Sequence, residues 1–393
     1  PAHQYPMTLP TPQEHARSAD KPAMEHNALW ATLRGRLPLW KPHLPAIGGA
    51  SPIGFDLASE RLNLAQVAPH GKAWRWRAAA AIAYPRDRAE LLNDPADFRG
   101  LVQDALRKHG FKGRQVVSVL PPGDLQVVCI DYSTANGQDD TATLLRTLRD
   151  RFKGGLDDAV VDILPIRRPP ESNLRSAVVA VAQRDKVLAH LDLLTAAGLD
   201  PQAVDIGPAA LARLARAVVV GDPRANLLLI NFGIEHTYLS LLWGRRLMFD
   251  RSLPFGERRL ATTLARNLDL LPERALELLR RHGLGNTGGE IGETITELLQ
   301  PDFQQLAREV NRVLIYFASQ THGGAVDGIY IAGSVARLPG AAGHIGRMLG
   351  MAVHVLNPWQ LPGSNPDEII EPPAGMAVAA GLALRGVVHR AGD

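Results

Sequence analysis

The chain has 393 residues, of which 46% are apolar and 21% charged, and a formal net charge of +3. That length predicts two to four structural units with a sizeable core, and the composition is that of a globular protein. The small net charge, with no long basic run and no zinc-finger spacing, predicts no specific nucleic-acid partner.

Arginines cluster at Arg75, Arg77, Arg86 and Arg88, and again at Arg245, Arg246, Arg251, Arg258 and Arg259. Solvated surface is the simplest reading of both groups. The single cysteine, Cys129, excludes an intrachain disulfide or a cysteine-based metal site and is expected to be a small buried side chain. No apolar run is long enough to cross a bilayer, and the first residues lack a cleavable export signal, so a cytoplasmic location is expected.

Residues 1–50 read as a flexible leader, with an amphipathic helix around Ala28, Leu29, Trp30, Leu33 and Leu37 as a candidate anchor. Alternation then predicts strands at Ile53–Leu57, Leu62–Val67 and Ala78–Tyr84, a helix over Phe98–His109 and a strand over Gln115–Leu120. Pro121-Pro122-Gly123 marks the start of an insertion. Within it, strands are expected at Leu125–Ile130, Ala159–Ile163 and Ala177–Ala182, and helices at Thr143–Phe152 and Asp185–Ala197. That order predicts a small α+β domain over residues 125–200.

Val204-Asp205-Ile206 returns the chain to the first body, whose first part spans residues 51–124 and whose return spans 201–225. The strand–turn–strand pattern of the opening then recurs as Leu227–Phe232, a turn through Gly233 and His236, and Thr237–Leu242. Such repetition predicts two related lobes. The second lobe covers 226–374, with a helical subdomain over 256–325 interrupted by a glycine-rich loop at Gly283–Gly292. Strand Gly328–Gly333, a turn at Ser334 and helix Gly340–Leu349 form a strand–turn–helix cradle. A closing helix over 375–393 returns to the first lobe.

The ordered segments Ile53–Gln66, Val178–Ala210, Leu227–Phe255, Glu309–Phe317 and Gly328–Trp359 resemble the PilM family of type IV pilus assembly proteins, relatives of the division protein FtsA. The resemblance spans Ser51 to Arg390. It implies an α/β, actin-like duplicated two-lobe fold with ribonuclease H-like halves and an inserted small α+β domain. It further implies ATP and Mg2+ as cofactors. Asp56, Ser59, Arg61 and Asn63 then fall in a first phosphate loop, with Asp56 an indirect magnesium contact, and Asn231, Gly233, His236 and Thr237 in a second. Glu309 and Arg312 would border the adenosine, with Gly333 and Ser334 in the later adenosine loop.

This sequence departs from the family's loops. Ala58 stands at a turn glycine, Asn63 at a lysine, and Asn231 at an aspartate, while Glu60 adds negative charge. Ala58, Asn63 and Glu60 weaken the case for ATP, and Asn231 weakens hydrolysis more than binding, because an amide cannot supply a carboxylate's field or act as a base. The implied partner is the cytoplasmic tail of a PilN-like inner-membrane protein within a pilus or related secretion platform. Val178, Val179, Val181, Lys186, Leu193 and Leu194 are the candidate partner-binding residues, and homo-oligomers are a further option. An active ATPase regulating assembly and a small-molecule kinase using Asp205 as base are the alternatives.

Overall fold

The structure, a computed structural model, describes residues 50–70, 73–133, 140–151, 156, 158–166, 174–364, 373–385 and 387. All of them belong to one unit. The expected amphipathic helix around Trp30 lies outside the described residues.

The first sheet holds β1 (Ile53–Leu57), β2 (Arg61–His70), β3 (Ala73–Ala83), β4 (Gln115–Val119) and β8 (Asp200–Asp205) in the order β3-β2-β1-β4-β8. The second holds β9 (Leu227–Phe232), β10 (Thr237–Trp243), β11 (Arg246–Leu253), β12 (Gly328–Gly333) and β13 (Val353–Val355) in the order β11-β10-β9-β12-β13. Each sheet starts with an antiparallel three-strand meander and ends with two parallel additions. The fold is therefore the duplicated, actin-like one, and the β1–β2 and β9–β10 turns occupy equivalent positions.

Local chemistry sets the helices that flank the first sheet. Asp87 caps α1 (Arg88–Leu92), accepting from Ala89 N and Glu90 N. Asp94 caps α2 (Pro95–Lys108), accepting from Ala96 N and Asp97 N ahead of a proline at the first helical position. Phe98, Val102 and Ala105 on one stripe of α2 pack against Phe55, Leu62 and Leu64.

Between the sheets run α5 (Gly207–Val218) and α10 (Pro373–Ala383), whose Leu211, Leu214, Met376 and Ala380 share one core with Leu227 and Leu229. Their contact is close: a Cβ on Gly381 would stand 2.1 Å from the carbonyl oxygen of Ala210, so only glycine fits.

The insertion consists of β5 (Leu125–Ser133), α3 (Asp140–Arg151), β6 (Ala159–Ile166) and β7 (Leu174–Gln183), with sheet order β5-β7-β6. The next helix, α4 (Arg184–Ala196), was expected to complete that small domain. Instead Leu194, with Ala197 and Leu199 just beyond, packs into the first-lobe core with Phe98 and Val102. The second lobe adds α6 (Glu257–Leu268), α7 (Pro272–His282), α8 (Gly289–Gln320) and α9 (Ala341–Leu349). The glycine-rich interruption is shorter than expected, since Gly289–Gly292 already form the first turn of α8.

Candidate functional site

The first turn is built by a tight hairpin. Leu57 pairs with Leu62 and Asp56 with Asn63, so the last two side chains share one face across the strands. Asn63 Nδ2 donates to Asp56 Oδ2 at 3.0 Å. Burial pushes the Asp56 carboxyl up to about 6, against the opposing pulls of that hydrogen bond and of Arg88. Asn63 Oδ1 is buried without a partner. Asn63, expected to face phosphate, is thus spent on its strand neighbour.

Tyr84 Oη donates to Ala58 O at 3.0 Å, and Arg88 Nη2 reaches Leu57 O at 3.5 Å. Behind β1, Ser118 Oγ donates to Phe55 O at 2.9 Å and lies 3.0 Å from His190 Nε2. Burial, then the charge of Arg88, pushes His190 down to about 4, which leaves a neutral imidazole. Ser59 is exposed at the tip of the turn, and Arg61 is half-buried at its far end.

The second turn is fixed by backbone contacts. Gly233 N donates to His236 O at 2.8 Å, and the fully buried Thr237 donates through Oγ1 to Phe255 O at 2.6 Å. Thr237 is therefore structural, while the His236 side chain is exposed. Gly333 and Ser334 close on this turn. Gly333 has φ +87°, and a Cβ there would stand 2.0 Å from Phe232 O and 2.8 Å from Asn231 Oδ1. Ser334 donates from its backbone N to Phe232 O at 2.7 Å and from Oγ to Gly233 O at 2.8 Å. The expected junction of Asn231, Gly233, Gly333 and Ser334 is thus brought together.

Glu309 and Arg312 are not part of it. They pair with each other on α8, and Glu309 also lies 3.1 Å from Arg251 Nη2 on β11, an ion pair by distance without hydrogen-bond alignment. Registers Arg251↔Leu239, Leu239↔Ile230 and Ile230↔Ile331 place Arg251 three strands from β12, roughly 14 Å across the sheet.

Residues that sequence reasoning did not single out connect the lobes instead. Arg280 on α7 donates from Nε to Glu257 Oε1 at 2.9 Å and from Nη2 to Glu257 Oε2 at 2.6 Å. The same Nη2 lies 2.9 Å and 2.7 Å from the two carboxylate oxygens of Glu60. Glu257 is 1% exposed and begins α6 beside the second turn, its backbone N donating to Gly233 O. Burial, with the charges of Arg61 and Arg280 adding to it, lowers Arg337, while Glu257 and Glu60 oppose that shift. Arg61, Arg280 and Arg337 thus gather with Glu60 and Glu257 where the two turns meet.

Among the partner candidates, Val178, Val179, Val181 and Leu194 are buried, Leu193 is half-buried, and Lys186 is exposed. Val179 and Val181 face the α3 side of the inserted core. Cys129 is only partly buried, with its Sγ 3.7 Å from Met248 O of β11. Asp205 is unavailable as a kinase base. Its Oδ2 meets Arg213 Nη2 at 2.8 Å and Arg385 Nη1 at 2.9 Å, and its Oδ1 accepts from Ile206 N. Although burial works to raise its pKa, these partners hold it below the ordinary carboxylate range.

The residues present do not fit a magnesium-dependent triphosphate site. Asp56 is paired with Asn63 and burial pushes its carboxyl up to about 6, Asn231 is neutral, and Glu60 adds a carboxylate to the first turn. No group of three or more histidine, cysteine or acidic residues that could hold a metal ion occurs among the described residues. What the cleft retains is the cradle geometry, with its charges directed at one another.

A family profile described as type IV pilus assembly protein PilM matches residues 54–387. A solved PilM-PilN type IV pilus biogenesis complex superposes with a TM-score of 0.70 at 23% identity, covering 87% of this chain and 99% of that one. The ethanolamine utilization protein EutJ from Carboxydothermus hydrogenoformans gives 0.48 at 17% identity, with 92% and 98% covered. MreB 5 of Spiroplasma citri bound to AMPPNP gives 0.44 at 11%, with 84% and 93% covered.

Proposed function

The chain belongs to the PilM family of type IV pilus assembly proteins, and from that premise we propose that it is a cytoplasmic scaffold gripping the tail of a PilN-like inner-membrane protein. The observation that carries this reading is a family match across both lobes and the insertion, combined with nucleotide-facing turns whose polar groups bond to one another. The solved relative of matching architecture is itself a complex with PilN. No helix among the described residues is long and apolar enough to cross a membrane; in this reading the PilN-like partner brings the chain to the inner membrane. ATP turnover is weak or absent.

The tail binds where the insertion meets the first lobe. Helix α4 runs from β7 of the insertion to β8 of the first sheet, and Lys186 is exposed in its first turn. The valines behind it set the shape of the small domain, whereas Lys186 offers a cation to the peptide.

The test is fluorescence polarisation of a labelled cytoplasmic peptide from a PilN-like protein, with and without ATP and magnesium. Saturable binding that ignores ATP, weakened by Lys186→Glu, is expected, together with no saturable magnesium-dependent ATP turnover. Failure of the peptide to bind, or rapid saturable turnover, would overturn the proposal.

A further inference from the structure

The β1–β2 and β9–β10 turns are equivalent positions of the duplicated sheets, so a ligand lying between the lobes meets both. In this chain the space is crossed by a side chain. The side-on fork of Arg280, Nε with Nη2, holds the two oxygens of Glu257, and the remaining Nη2 hydrogen is shared by both oxygens of Glu60. Glu257 and Arg280 both belong to the second lobe, and Glu60 belongs to the first.

The two halves of this arrangement differ in permanence. Glu257 is 1% exposed and fixed at the start of α6, so its bond to Arg280 is built into the second lobe. The Glu60 and Arg280 side chains are 38% and 37% exposed, and an ion pair reached by solvent is weak and sensitive to salt. The releasable contact is therefore the one that joins the lobes.

We propose that Glu60 is a tethered anion that latches the cleft from inside and occupies the guanidinium an incoming polyphosphate would need. Arg61 and Arg337 flank the latch, so the group carries three cations against two carboxylates. Opening the Glu60 contact exposes a net positive pocket, and closing it removes the need for a bound ligand to hold the lobes. This latch stands on the ion-pair geometry and is independent of what the insertion binds.

The experiment compares wild type, Glu60→Gln and, as a control that removes one exposed carboxylate elsewhere, Glu293→Gln on α8. Hydrogen exchange is read in peptides covering 57–62 and 273–282, and tripolyphosphate binding is measured at low salt by calorimetry. Glu60→Gln should exchange faster in both peptides and bind tripolyphosphate about five-fold tighter, the effect of one unit charge at contact distance in water. Glu293→Gln should behave as wild type, and salt should bring wild-type exchange towards that of Glu60→Gln. Unchanged exchange in Glu60→Gln, or tripolyphosphate affinity no better than wild type, would overturn the latch. Because neither readout involves the PilN-like tail, failure of the scaffold reading would leave the latch standing.

Discussion

Replacing Asp56 by asparagine should stabilise the protein at alkaline pH and do little in acid. The Asp56 carboxyl titrates near 6 in the folded chain against an ordinary 3.8, a gap equivalent to about 3 kcal/mol. The sign follows from proton uptake. Below 3.8 the group is protonated in both folded and unfolded states, and its charge costs nothing. As pH rises towards 6 the unfolded chain ionises first, and the penalty on the folded state grows until it is complete above 6. An asparagine removes the penalty, and its amide can give Asn63 Oδ1 the donor that this buried oxygen lacks. The attraction to Arg88 is already contained in the value near 6, so the full gain of about 3 kcal/mol is expected at pH 7.5. Urea unfolding of wild type and Asp56→Asn should be followed by tryptophan fluorescence from pH 4 to 8. The difference between the two proteins cancels the opposing titrations of Asp250 and His190, which remain in both. A difference that stays flat across this range, or grows towards acid, would refute the assignment.

Two further substitutions probe the second lobe. Gly333→Ala forces a Cβ at φ +87° to within 2.0 Å of Phe232 O, and a loss of about 3 kcal/mol or failure to fold is expected; a thermal melt like that of wild type would count against the close junction of the second turn with β12. Asp250 is buried on β11, where Ser240 Oγ donates to it at 2.5 Å, and burial pushes its carboxyl up to about 7 despite that bond. Asp250→Asn should therefore raise stability above pH 7 and leave it nearly unchanged at pH 4, and denaturant midpoints at the two pH values measure this directly.

The duplicated cradle was readable because its information is local. Hairpin alternation marks β1 with β2 and β9 with β10, and Gly333 sits at a left-handed turn that sequence spacing alone suggests. Strand β11 was not singled out, because Arg246, Asp250, Arg251 and Ser252 break its apolar pattern. Its Asp250 is nevertheless buried against Ser240, a pairing visible only once β10 and β11 are in register. The valines of β7 misled for a related reason. Neighbouring residues on a strand point to opposite faces, yet Val178 and Val179 are both buried, because α3 covers one face of β7 and β11 of the second lobe lies against the other. An apolar pair there says core, with no information about a groove.

The candidate site divides in the same way. Departures of Asn63 and Asn231 from the family's residues could be read directly, but the partners that absorb the remaining charges could not. Glu60 and Arg280 are 220 residues apart in sequence, and nothing local to either names the other. Asn63 was weighed as a weakened phosphate ligand, whereas the register of β1 on β2 makes it the direct neighbour of Asp56. That register changes the meaning of the substitution. A lysine at position 63 would face a carboxylate and keep it ionised, whereas the Asn63 amide donates to Asp56 and offsets only part of what burial imposes on it. Replacement at 63 therefore weakens the electrostatic support of a charge on Asp56. Asp56 is left facing a neutral amide across the hairpin, while Glu60 adds a carboxylate at the end of the same turn, where it meets Arg280.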